Sequence, residues 1–240
     1  KRRVAAFGWS AGYAGMAVAL QAWALQKTAP SEKLTKRSAF KSFDEMAAHT
    51  RKQLEEASSS MPAVVVVGAS GRSGKGAAAA ALACGVPQEK LDLWDRTNTA
   101  SGGPFPELLT DYDVLGNCIY LGDDTPVFFN KRMLRRKNRR LTVIGDVSCD
   151  PNNANNPIPI YSEATTVDEP TVRALEDKQG PLDVVAIDHL PCLVPYDSSK
   201  EFADDLLPHL LDFDDSPVWQ GASLLFEEKV MEAEVLPDAC

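Results

Sequence analysis

The chain has 240 residues, with 25 lysines and arginines against 34 acidic residues, and so a formal net charge of −9. That acidic balance excludes a nucleic-acid partner gripped through its phosphates, which demands a basic surface. A hydrophobic share of 44% with 25% charged residues fits an ordinary globular protein of one large domain or a domain and a half, and the five scattered cysteines, with no C-x-x-C pair, argue for reduced thiols rather than a disulfide framework or zinc site.

The chain begins with Lys1 rather than methionine, which fits a trimmed product, a proteolytic piece or one part of a longer polypeptide. Residues 4–25 carry no charge and follow Lys1, Arg2 and Arg3. Read alone, such a run suggests a signal peptide or a membrane span. Trp9, Tyr13, Met16, Leu20 and Trp23, however, recur at steps of four and three. This predicts a helix with a one-sided apolar stripe, Ala and Gly on its other side, buried in a protein rather than in lipid. No second span exists, so no membrane partner is expected. Arg2 and Arg3 become a pair of cations at a strand or hinge before that helix. Residues 43–57 predict a second helix, with acids early and an amphipathic pattern.

The chain is organised around residues 62–85, PAVVVVGASGRSGKGAAAAALACG. A β-branched run predicts a strand buried on both faces, and an alanine-rich helix follows that ends at Gly85. Between them lie Gly68, Gly71, Gly74 and Gly76. A strand, a glycine turn and a helix form the first unit of a dinucleotide-binding domain. One glycine allows a tight turn, one lets the backbone approach a pyrophosphate, and one lets the helix pack closely. The helix amino terminus offers unpaired N–H groups to phosphate. The spacing is G-x-x-G-x-x-G rather than G-x-G-x-x-G, so many helices that merely begin after glycine share it. A P-loop is rejected, because Lys75 is followed by Gly76 and Ala69 stands where the first P-loop glycine belongs. Residues 90–94 predict a second strand ending at Asp95, whose carboxylate can accept both ribose hydroxyls and repel a 2′-phosphate. Arg96, next door, could serve a 2′-phosphate, so NAD is favoured over NADP with the alternative open.

Residues 101–104 (SGGP) belong to a loop. Strands are predicted over residues 114–121, 141–147 and 182–188. The basic run 131–140 reads as a solvated helix face, residues 150–159 as a Pro/Asn loop, and residues 172–178 as a short helix. Helices are predicted over residues 199–215 and 218–233. The alternation implies an α/β fold, a doubly wound parallel sheet with ligands beyond the carboxyl ends of its strands. Those tips gather residues 68–76, 95–99, Tyr120, residues 147–150 and residues 187–190. His49, His189 and His209 are too dispersed for a metal centre.

Taken together, RRVAAFGW, GASGRSGKGA, NCIYL, VIGDVSCDP and VVAIDHLP resemble the lysine-forming, NAD-dependent saccharopine dehydrogenases, within the wider alanine dehydrogenase and transhydrogenase group. The resemblance spans nearly the whole chain. It implies a Rossmann domain over residues 8–190, with residues 1–7 and 191–240 forming the hinge and helices of a second, mostly missing domain. It implies that Arg2, Gly71, Arg72, Asp95, Thr99, Tyr120, Val147, Ile187, Asp188, His189 and Leu190 meet NAD. It implies that Arg3, Phe7, Ser148, Cys149 and Asp150 meet the carboxylates and amines of saccharopine, or of lysine and 2-oxoglutarate. Arginine suits that task through its bidentate fork. The family's acid–base lysine and histidine would lie in the missing amino-terminal half, which becomes the expected partner, and His189 is read as positioning or structural. Ser73 stands where some members carry a cysteine that pairs with the one matching Cys118, so that link is expected to be absent. No metal is implied, and a cytoplasmic enzyme, monomeric at full length, is. The expected reaction is oxidative cleavage of saccharopine to lysine and 2-oxoglutarate. A non-catalytic NAD-binding module and an alanine dehydrogenase-like enzyme are the competing readings.

Overall fold

A computed structural model describes residues 3–214 and 216–235. Four consecutive valines, Val64–Val67, form β1 and all are buried, as β-branched residues on a doubly covered strand should be. β1 lies inside a six-stranded sheet of order β2-β1-β3-β4-β6-β5. Its neighbours are β2 (Leu91–Trp94), β3 (Val114–Asn117), β4 (Val143–Asp146) and β6 (Gly180–Val185), all parallel. β5 (Val172–Asp177) closes one edge, antiparallel to β6. The chain steps from β1 to β2 on one side and crosses back to β3 on the other. This is the Rossmann-like reversal that opens a crevice beyond the carboxyl ends.

The two faces of the sheet are covered differently. Val64, Val66, Val114 and Val143 pack under α1 (Gly8–Thr28) and α3 (Arg72–Ala83). Val65, Val67, Leu115, Ile144 and Val184 pack under Phe105, Phe128, Phe129, Ile158 and Ile160. Long loops and the one-turn helix α4 (Glu107–Thr110) supply that second cover.

The predicted one-sided stripe of the first helix is corrected. α1 is buried around almost its whole circumference, from Ser10 and Gly12 through Ala24, because α2 (Phe43–Ala57), α3 and the sheet all pack against it. Glycines make this possible. Gly116 and Gly145, paired in register on β3 and β4, face Met16 and Ala19 of α1. Gln21, buried in this helix, donates to Thr50 Oγ1 of α2 at 2.9 Å. Among the described residues no helix is long and apolar enough to cross a membrane.

Two other expectations fail. Residues 172–178 are not a helix: Val172–Asp177 is β5, turned into β6 through Gly180 at φ 98°. The basic run 131–140 holds only a 3-10 turn, Met133–Arg135, and it is not all solvated. Arg139 is buried, donating to Asp177 Oδ1 and Gly180 O at 2.8 Å each and to the Leu141 carbonyl. It ties the β5–β6 hairpin to the entry of β4. Arg139→Met is expected to lower stability by about 3 kcal/mol, read from urea unfolding. The value lies at the low end for a broken buried pair because the Asp177 side chain is 23% exposed and can hydrate.

Two compact units result, residues 7–198 and, among the remaining described residues, 3–6 with 199–214 and 216–235. In the smaller one, the end of α5 (Pro195–Leu211) and α6 (Pro217–Val235) are joined by Trp219 Nε1 donating to His209 O at 2.7 Å and by packing of Phe213 on Trp219. It leaves Leu211, Phe213, Leu224, Phe226 and Met231 exposed.

Candidate functional site

The parallel register places the carboxyl ends of β1, β2, β3 and β4 side by side, with Val67 opposite both Trp94 and Asn117, and Asn117 opposite Asp146. Hydrogen bonds then join the loops that leave those ends. Gly68 N and Ala69 N donate to Trp94 O at 2.9 and 3.0 Å, and Val147 N donates to Asn117 O at 2.9 Å. Ser148 Oγ donates to Ile119 O at 2.6 Å, and Cys149 Sγ to Ala186 O at 2.9 Å. The tips predicted from alternation alone form one connected rim.

The four glycines of the bend divide their tasks. Gly68 has φ 85°, and a Cβ there would lie 2.7 Å from Cys118 O, so it sets the tight turn against the β3 loop. Gly74 lets the first turn of α3 lie on that bend, since its Cβ would lie 2.2 Å from Gly68 O. Gly76 lets α3 cross α1. Gly71 is the N-cap of α3, is exposed, and a Cβ there would meet only Gly68 O, at 3.3 Å. No side chain caps this helix end. Arg72 lies in the first turn, its Cβ beside Gly8.

Asp95 leaves the tip of β2 with an exposed side chain. Its Oδ1 accepts from Thr97 Oγ1 and Thr97 N at 2.7 Å each, and its own N–H donates to Asn98 Oδ1 at 2.9 Å. The Thr97 hydroxyl and N–H hold the carboxyl below the usual range, so it is anionic at neutral pH. Thr99 is half-buried on the same loop, and Tyr120 is 91% exposed beyond β3.

Beyond β4 and β6 the surroundings are drier. Val147 and Leu190 touch the point where a side chain on Gly15 of α1 would begin. Ile187 and Leu190 are buried, whereas Asp188 and His189 are exposed. Ser148 is half-buried and Asp150 exposed, its Oδ2 accepting from Asn153 Nδ2 at 2.9 Å. Cys149 sits at φ 41°, in the left-handed region, and burial pushes its thiol up to about 12. It remains a protonated donor at neutral pH. Phe7 is exposed just before α1, Arg3 is exposed in the smaller unit, and Arg2 lies outside the described residues. Cys118 is a free, buried thiol raised by desolvation. Among the described residues no group of histidines, cysteines or acids could hold a metal ion.

A buried polar cluster under this rim was not anticipated from sequence. Asp146, at the end of β4, accepts from Asn117 Nδ2 at 2.9 Å, from Tyr161 Oη at 2.7 Å and from Cys149 N at 3.2 Å. Burial raises its carboxyl, and those hydrogen bonds oppose the rise. Asn117 Oδ1 is buried without a hydrogen-bond partner. The available signal was a polar residue closing each of two apolar strands, VLGN and VIGD.

No family model matches the chain. Over 238 residues it is 45% identical to saccharopine dehydrogenase [NAD(+), L-lysine-forming] of Yarrowia lipolytica, covering 96% of this chain and 64% of that protein. The protein of the same name from Neurospora crassa is 45% identical over 236 residues, with coverages of 95% and 63%. That of Emericella nidulans is 44% identical over 239 residues, with coverages of 95% and 64%. The chain thus spans a little under two thirds of the length of these curated relatives.

Proposed function

We propose that this chain is the NAD-binding portion of a lysine-forming saccharopine dehydrogenase, a cytoplasmic enzyme that oxidatively cleaves saccharopine to lysine and 2-oxoglutarate. The observation that carries the reading is the pairing of an open glycine bend with an anionic Asp95 at adjacent strand tips. The names of the relatives then select the reaction.

The residues present fit a dinucleotide. Exposed Gly71 and the amino terminus of α3, which no side chain caps, offer backbone N–H groups to an anion. Gly71 and Arg72 would hold the pyrophosphate, Asp95 the adenosine ribose, with Thr99 and Tyr120 on the adenosine side. Val147, Ile187, Asp188, His189 and Leu190 would border the nicotinamide. The bound cofactor would supply the hydride acceptor. Phe7, Ser148, Cys149 and Asp150 would orient the substrate's carboxylates and amines beside it.

The acid–base pair would come from the remaining third of the polypeptide. Residues 1–7 and 191–240 would belong to the domain that this third completes. The apolar side chains left exposed on α5 and α6 support that assignment. Calorimetric titration of the purified chain with NAD and with NADP tests the reading. NAD is expected to bind at least tenfold more tightly, with no turnover of saccharopine by the chain alone. Failure to bind either dinucleotide would refute the reading.

A further inference from the structure

The turn after β4 is held from below by buried groups. Asp146 is 2% exposed and Asn117 is fully buried. A carboxyl group enclosed at the end of a parallel strand is costly, and an apolar residue of similar size would pack there with less penalty. Its three hydrogen bonds show what it does. Two of them, from Asn117 Nδ2 and Tyr161 Oη, fix the carboxylate in place. The third reaches forward three residues to Cys149 N, which turns the chain sharply and puts Cys149 at φ 41°. A non-glycine residue in that region is strained unless its surroundings impose it. The imposed turn aims Ser148 Oγ at Ile119 O and Cys149 Sγ at Ala186 O, so the loops after β3 and β6 are set by the same anchor. Tyr161 comes from the loop covering the opposite sheet face. Its phenol is raised by burial first and by Asp146 next, so it stays a donor.

We propose that Asp146, clamped by Asn117 and Tyr161, is a positioning residue that presents Val147 to the nicotinamide half of the cofactor and Ser148 and Cys149 to the substrate beside it. The inference rests on the dinucleotide reading above. It assigns the clamp to the nicotinamide end, because the hydrogen bonds of Asp146 go to Asn117, Cys149 and Tyr161 and none goes to Asp95 or the glycine bend.

The test separates the two ends. The full chain, as Asp146→Asn and as Tyr161→Phe, is titrated calorimetrically with NAD and with ADP-ribose, which lacks the nicotinamide ring. NAD is expected to weaken about tenfold in Asp146→Asn and about threefold in Tyr161→Phe, while ADP-ribose stays within twofold of the parent. Equal weakening of both ligands would mean a merely structural role and overturn the proposal, as would unchanged NAD affinity in a folded variant. If Asp146→Asn does not fold, Tyr161→Phe, which loses a single hydroxyl, decides the matter. A parent chain that binds ADP-ribose but shows no change in these variants sinks only this proposal. A parent chain that binds neither ligand sinks the dinucleotide reading and this proposal with it.

Discussion

Replacing Asp95 with alanine is expected to weaken NAD binding by roughly tenfold to a hundredfold, the range implied by losing hydrogen bonds to a charged acceptor. NADP affinity should rise at the same time, so that the preference between the two narrows by more than the NAD loss alone. The reasoning begins with the strand. β2 ends at Trp94, whose carbonyl accepts from Gly68 N and Ala69 N, so the next residue is fixed relative to the glycine bend. Asp95 therefore emerges beside the place proposed for the pyrophosphate. Thr97 engages Oδ1 and stabilises the anion, and the side chain stays exposed to a ligand. A 2′-phosphate placed at such an anion meets repulsion, which disappears with the carboxylate.

Alanine also removes the acceptor that shapes the Thr97 turn. Asp95→Asn keeps that acceptor and loses only the charge. It should recover part of the NAD affinity while leaving NADP better tolerated than in the parent. Because Thr97 lowers the carboxyl's proton affinity, NAD binding should not vary across the neutral range on account of Asp95. Competition calorimetry on the three proteins measures all of this. NAD affinity unchanged in Asp95→Ala would mean that the ribose is held elsewhere.

Much of the fold around this candidate site was legible because its elements rest on local chemistry. Val64–Val67 could only be an enclosed strand, and the run of alanines after the glycines could only be a helix. The tips then followed from alternation. Where the sequence misled, the deciding partner lay far along the chain. Val172–Asp177 (VRALED) is rich in good helix formers, yet it is a strand because Gly180 turns it back onto β6 and Arg173 meets Asp183 at 3.0 Å. Arg139 looks solvated inside a basic run, but Asp177 and Gly180 draw it inside. The Asp146–Tyr161 bond was invisible for the same reason, since nothing in the Pro/Asn loop between them shows that its far end folds back under β4. The first helix showed its apolar residues but not how many surfaces would enclose them.

The crossing of α1 and α3 yields a second large expected effect, on stability as well as on binding. A Cβ on Gly76 would lie 2.0 Å from Trp9 O, and one on Gly12 would lie 1.8 Å from Ser73 O. Both obstacles are backbone atoms of the facing helix, so no side-chain rotation relieves them. Helix propensity argues the other way, because alanine in a helix interior is favoured over glycine by about 1 kcal/mol. Packing should win. Overpacking a close contact costs about 1–3 kcal/mol and sometimes more, and here the helices must separate along an interface that also positions the glycine bend. Gly76→Ala is therefore expected to lose about 2 kcal/mol net, the top of the overpacking range less the propensity gain, and to weaken NAD binding as α3 shifts. Gly221 supplies the opposite sign. It lies in α6, and a Cβ there would have no neighbour within 4 Å, so the same substitution should stabilise that helix by up to about 1 kcal/mol. Chemical denaturation of both variants, followed by circular dichroism, reads the two signs directly. A Gly76→Ala chain as stable as the parent would mean that the two helices can separate at little cost, and the glycine bend would then owe its position to β1 and Trp94 rather than to α1.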